Sequence, residues 1–436
     1  MHLFSNSNIL KRNLLNILLA VIPFSFIAGN MLVNINIFLF LILAFMFFGK
    51  EIFKLNFYVL DKIIFCFFVF IIFTGFYNYF FFDLKVKSFL VSPIKSILFF
   101  RYFILYLVLR ILIEKNIIDL KFFFIFSSLA VMFVSLDIIL QFFNGEDIFG
   151  FVPQGRKYAG PFGDELIAGG FIQRFSLFIL FLIPIFIRNN LPLKLERYLI
   201  ASIFIILSFS IIVSGNRMPA VIFLFTISLI ILFQKQTRKY FLPFFLIFSL
   251  MFLILFKTNE NIKNNFSNFY GQVFYASELI IKKDFLNNQS PQYLKEFATF
   301  YDTWLMNKYI GGGIKNFRFY CHHRPNLNKN TKFVCNMHPH NYYLEILTET
   351  GVLGFLIILS VFLSILYLTF VKKYLIKSTL NDNKIIIPFI FLFIAEIFPI
   401  KSTGSFFTTG NATYVFLIIG IMIGIIRKYN SIENSK

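Results

Sequence analysis

Long apolar stretches separated by short polar connections run along most of the 436-residue chain. Twelve of them are long enough to cross a bilayer core, which takes about 17 to 25 residues of helix. They lie near 14–30, 32–48, 63–82, 97–113, 122–143, 168–187, 197–214, 218–233, 240–256, 350–371, 385–400 and 411–427. A polar stretch at 257–349 divides them. It has helical patterning around Gln292 to Lys308 and a break at Gly311-Gly312-Gly313. The pattern predicts an all-α membrane protein of about 12 transmembrane helices, with nine spans in 1–256, a loop domain forming a small cap in 257–349, and three spans in 350–436. Outer loops of such length are uncommon unless functional. The first run leads through Phe26-Ile27-Ala28-Gly29-Asn30 into the second, so we expect a span there and not a cleaved leader. No soluble domain is expected before or after the bundle.

Composition removes the soluble classes. Hydrophobic residues make up 58% of the chain and charged residues 14%, where a soluble domain has about a quarter charged. The charge also sets an orientation. With the N-terminus inside, 21 of the 41 Lys and Arg residues fall on cytoplasmic segments and nine on the short outer connections. The rest lie in the long loop, which the positive-inside rule does not count. Both termini are therefore expected in the cytoplasm, with the loop in the periplasm. The net charge of +20 reads as topology signal and attraction to anionic membrane lipid, with no nucleic-acid partner required.

This orientation gathers several polar features on one face. His338-Pro339-His340-Asn341 holds two of the five histidines, just before an apolar run. Gly351 and Gly354, three apart, leave a helix face bare for close backbone approach. Gly311-Gly312-Gly313-Ile314-Lys315-Asn316-Phe317-Arg318 can set amides and two cations around an anion, or serve as a flexible connector. In Ser214-Gly215-Asn216-Arg217-Met218-Pro219-Ala220, Arg217 either snorkels to headgroups or faces a cavity with an anionic partner. The run from Gly155 to Gly170 contains Arg156, Asp164 and Glu165. The acids there can contact sugar hydroxyls or Arg217, or complement the following helix. The stretch from Lys401 to Asn411 can line a glycan groove or simply turn the chain. Cys321 and Cys335, in an oxidising compartment, point to a disulfide. The alternative is a metal site from Cys321, His322, His323, Cys335, His338 and His340, whose spacings do not match the usual paired patterns.

The spacing His340-Asn341, nine residues, then Gly351-Val352-Leu353-Gly354 resembles the signature of the bacterial O-antigen ligase and polymerase superfamily. These are membrane glycosyltransferases that use undecaprenyl-diphosphate-linked glycans. Ser214 to Ala220 is similar to that superfamily's Ser-x-Ser-Arg-Gly-Ala motif, with departures at Asn216 and Met218-Pro219. Phe162 to Gly169 resembles its Phe-Gly-Asn-x-Asn-x-x-Ala-Gly run, and Gly311 to Gly313 its loop glycine turn. The resemblance implies His340 as base, with His338 as the competing base, and Arg217 as the clamp on the donor diphosphate. His338, Asn341, Asp164 and Glu165 become possible substrate contacts, and Lys315, Arg318 and Arg156 further diphosphate ligands. The family's loop arginine has no counterpart between Gly271 and Gly311, which leaves the second cation to Arg318 or a lysine. No metal or cofactor is expected. The implied reaction moves a glycan to lipid A core at the periplasmic face of the inner membrane. A polymerase joining lipid-linked repeats and a protein O-oligosaccharyltransferase share that chemistry. A polysaccharide or lipid transporter is the reading from another class, and no inverted repeat is visible to favour it.

Overall fold

The computed structural model describes residues 2–81, 91–155, 157–187, 191–281, 290–324, 335, 340–376, 385–401 and 404–433. Among them the chain is helical, with one isolated bridge between Gln154 and Lys157. The first half runs through α1 (His2–Ala28), α2 (Asn30–Phe53), α3 (Val59–Phe81), α4 (Val91–Phe99), α5 (Arg101–Glu114), α6 (Leu120–Asn144), α7 (Ala168–Leu182) and α8 (Leu193–Val213). The second half contains α9 (Arg217–Phe233), α10 (Lys235–Thr258), α11 (Glu260–Ile281), α12 (Gln292–Trp304), α13 (Phe317–Tyr320), α14 (Tyr342–Leu366), α15 (Ile386–Glu396) and α16 (Thr409–Glu433). Local chemistry sets several of the boundaries. Gly29, at φ 104°, separates α1 from α2. Asp119 caps α6 by accepting from the Lys121 N–H at 2.9 Å, and left-handed Gly145 closes it.

Each of the twelve expected runs lies on a helix, but not all of those helices span. Among the described residues nine segments are long and apolar enough to cross a membrane, or ten if α10 and α11, bent by 108° at their break, count as one broken span. The expectation of twelve is therefore reduced. The reason is length: α15 has only 11 residues and α9, with 17, stands at the lower limit for a crossing. Eleven residues rise about 16 Å, roughly half a bilayer core. Nearly every residue of α15 is buried, so protein surrounds its ends, as backbone at membrane depth requires.

Helix α16 is the most enclosed of the candidate spans, with every residue of 412–426 buried. Gly420 and Gly424, four apart, put bare backbone against α5. A Cβ on Gly420 would lie 3.1 Å from the Tyr106 carbonyl, and one on Gly424 3.0 Å from the Arg110 carbonyl. This is the small-residue packing that lets helices meet closely in lipid. At the α5 end of that contact lies a buried ionic network. Arg110 pairs with Glu114 at 2.9 Å and Asp61 at 3.5 Å, Tyr106 donates to Asp61 at 2.5 Å, and Arg427 lies over the Tyr58 ring.

Candidate active site at the head of α14

The head of α14 is built by Asn341. Its side-chain oxygen accepts from the Tyr343 and Leu344 N–H groups at 3.0 and 3.1 Å, which caps the helix. Its amide donates to the Pro399 carbonyl at 2.8 Å, and the Tyr343 hydroxyl donates to the Ile397 carbonyl. One residue thus starts the helix and staples it to the turn after α15. His340, immediately before it, is exposed and takes φ 50°. Few non-glycine residues accept this left-handed backbone, His among the more tolerant, and it persists where the surroundings enforce it.

Ten residues after Asn341, α14 breaks at Gly351 (φ 64°, ψ −173°). The glycine turn docks into the break. Gly312 and Gly313 N–H groups donate to the Thr348 and Glu349 carbonyls at 3.0 and 2.8 Å, and Val352 and Leu353 N–H groups donate to the Lys308 and Tyr309 carbonyls at 2.9 and 3.2 Å. Backbone groups orphaned by the kink are thereby satisfied. A Cβ on Gly311 would collide with the Gly351 backbone, and one on Gly351 with Tyr309. The close approach expected from Gly351 is therefore made by the loop turn. Gly354 packs on Phe70 of α3, where a Cβ would sit 3.1 Å from the ring.

The same docking places Lys315. Its ammonium donates to Ser405 at 3.0 Å and lies 3.6 Å from Glu345, a fully buried carboxylate that also accepts from the Phe406 N–H at 2.6 Å. Arg318, on α13, is half-buried and lies over the Phe319 ring. Below it the Cys321–Cys335 disulfide is formed. Arg324 donates to the Cys321 carbonyl at 2.9 Å, and Phe300 stacks on Phe317. The bridge uses the two thiols that the metal alternative needs. Among the described residues no group of three His, Cys, Asp or Glu could hold a metal ion.

A second group forms where α7 meets α9. Gly169 N–H donates to Asn216 Oδ1 at 2.9 Å, Asn216 Nδ2 donates to the Leu166 carbonyl at 3.1 Å, and a Cβ on Gly169 would lie 2.7 Å from Ser214 and Asn216. Asn216, a departure from the motif, is the residue that makes this contact. Arg217, half-buried at the start of α9, donates to Asn265 at 2.7 Å and Gln272 at 3.4 Å on α11. Asp164 accepts from Gln154 at 2.7 Å, and both Asp164 and Glu165 are exposed. Neither acid caps α7, whose N-cap is Ile167. Arg156 and His338 lie outside the described residues.

Helix α7 joins the two groups through Arg174 and Glu396, which the sequence did not single out, and through Lys401 and Asn411, the two ends of the stretch expected to line a glycan groove or turn the chain. Arg174 holds Glu396 through Nη2 at 2.6 Å and Nε at 3.2 Å, and reaches Asn411 at 2.6 Å and Tyr342 at 3.2 Å. Tyr342 donates to Glu396 at 2.6 Å, and Lys401 contacts Glu396 at 2.5 Å. Burial pushes the Lys401 ammonium down to about 8, with Glu396 opposing the shift. The signal for Arg174 and Glu396 is an ionisable residue inside an apolar run, which marks a candidate site.

No curated protein matches the chain. Arg217, the α10–α11 pair, the glycine turn and the head of α14 all fall inside one matched segment, whereas Arg174, Glu396 and Lys401 lie outside it. Residues 202–359 match the family described as O-antigen ligase, the likeness that the spacing from His340 to Gly354 implied.

Proposed function

We propose that the protein is a glycosyltransferase that moves a preassembled glycan from undecaprenyl diphosphate to a hydroxyl of lipid A core, at the periplasmic face of the inner membrane. The observation that carries this reading is His340. It is an exposed imidazole held in a left-handed backbone at the capped head of α14, within a segment matching the O-antigen ligase family. The acceptor oxygen attacks the anomeric carbon of the donor sugar. The bond from that carbon to the diphosphate oxygen breaks and its electron pair leaves with undecaprenyl diphosphate. His340 takes the hydroxyl proton, a task suited to a neutral imidazole. Arg217 clamps the diphosphate with a planar fork that stays charged, and Lys315 and Arg318 add positive charge from the loop. Asn341 positions His340. Arginines supply the charge neutralisation in this scheme, so it runs without a metal ion.

Glycan chain length in a deletion strain tests the acceptor. Loss of the ligase leaves bare core beside long lipid-linked chains. A single repeat on the core would contradict a ligase and identify a polymerase. Unchanged glycans on lipid and core would remove both.

A further inference from the structure

The ions around Glu396 do not balance. Arg174 and Lys401 converge on this one carboxylate at 2.6 and 2.5 Å, and the remaining partners, the Tyr342 hydroxyl and the Asn411 amide, are neutral. Glu345, the nearest acid on α14, is engaged by Lys315, Ser405 and the Phe406 N–H. The cluster therefore holds one positive charge in excess, in a setting where a surplus buried ion is costly. Lys401 is closed off, with its side chain 5% exposed. Arg174 is the open member at 16%. Its Nε and Nη2 are committed to protein, while its Nη1 donates to no described residue. It sits five residues beyond Gly169, which docks on the segment bearing Arg217, and it touches Tyr342, two residues from His340.

We propose that Arg174 is the second cation of an oxyanion site beside His340, binding a phosphate-type anion through its Nη1 edge, and that Lys401 enables this by neutralising Glu396. The proposal rests on the glycosyl-transfer reading above. It supplies, from a membrane helix, the arginine that the loop lacks between Gly271 and Gly311. Lys401 is a positioning residue here, acting on the anion only through Glu396.

The test is binding of two probes, inorganic pyrophosphate and undecaprenyl diphosphate, to the purified full-length protein in detergent, with the melting temperature read in parallel. Lys401→Met should weaken binding by about tenfold or more, the scale of one contact to a charged group. Its melting temperature should hold or rise, because the remaining Arg174–Glu396 pair is balanced. A lysine kept only for the fold would do the reverse, lowering the melting temperature and leaving affinity intact. Lys401→Arg should bind like the wild type, and Arg174→Lys should fall between wild type and Lys401→Met. Loss for both probes assigns the site to the donor diphosphate. Loss for pyrophosphate alone assigns it to an anionic group on the acceptor. Unchanged affinity for both probes in Lys401→Met overturns the site. If Arg217→Ala still abolishes undecaprenyl diphosphate binding in that case, glycosyl transfer stands without Arg174. If the wild type binds neither probe, both readings fall.

Discussion

Two buried ionic clusters lie toward opposite ends of α16, one around Asn411 and the other around Arg427, about 24 Å apart along the helix at 1.5 Å per residue. Around Arg427 the charges balance. Arg110 meets Asp61 and Glu114, a second cation is Arg427 over Tyr58, and Tyr106 closes the remaining Asp61 oxygen. Around Asn411 two cations share Glu396. The balanced cluster ties α3, α5 and α16 together and leaves no charge to offer. The unbalanced one lies beside the His340 segment and keeps a partly exposed guanidinium. The difference separates an ionic group that pins helices from one built to receive an anion.

The largest effect is expected from unbalancing the balanced end. Arg110→Met leaves two buried carboxylates without their guanidinium, and the cost of breaking such a pair is about 3–5 kcal/mol. Thermal unfolding in detergent should show that loss, while pyrophosphate affinity of the folded protein stays at the wild-type value. A large affinity loss would mean that the two ends are not separate in function.

Glu396→Gln works at the other end, where Arg174 and Lys401 lose their shared carboxylate; the cost should lie toward the lower end of the same range, about 3 kcal/mol, because Tyr342 and Asn411 still accept from Arg174. Here the loss should be partly recovered by adding pyrophosphate, which replaces the missing negative charge. Melting curves with and without pyrophosphate read this directly. No recovery would argue against an anion in that place.

The smallest effect is on pH. Lys401 titrates near 8 when folded and near 10.4 when unfolded. The unfolded state therefore binds more protons between these values, and stability should rise with pH across that window. Below about pH 8 the cost of the buried ammonium is fully present. The rise should be absent in Lys401→Met. Anion affinity should move the opposite way, falling as the pH passes 8, since Lys401 then no longer offsets Glu396. The groups facing Lys401 are Glu396, Arg174 and the Tyr342 ring, and Lys401→Arg should flatten both profiles.

The sequence made the helices legible because apolar length alone defines them, and it read more spans than the nine or ten found among the described residues because length is judged only within a run. Residues 385–400 read as a crossing, yet the helix ends at Glu396, and its last turn is spent holding Arg174, Tyr342 and Lys401. The bend between α10 and α11 was hidden for a similar reason: α11 carries enough polar residues to read as loop. At the site, the head of α14 was readable since Asn341 and Gly351 act locally, through a cap and a kink. The partner of Gly351 was not readable, because the turn at Gly311 is some forty residues away and only packing brings it there. Arg174 and Glu396 are 222 positions apart, and nothing in either neighbourhood names the other. The Gly420 and Gly424 pair on α16 could have been found from spacing alone.

In the proposed reaction His340 acts on the acceptor and Arg217 on the donor. The most direct measurement is transfer by the purified protein between a lipid-linked donor and its acceptor, with undecaprenyl diphosphate binding followed in the same preparations. His340→Ala should lower turnover by about 10²- to 10⁴-fold, the range for a lost general base, while donor binding and melting temperature stay near wild type. Arg217→Ala should weaken donor binding itself, and Arg217→Lys should restore it only in part. Full turnover by His340→Ala, or equal loss of donor binding in the His340 and Arg217 variants, would contradict the account.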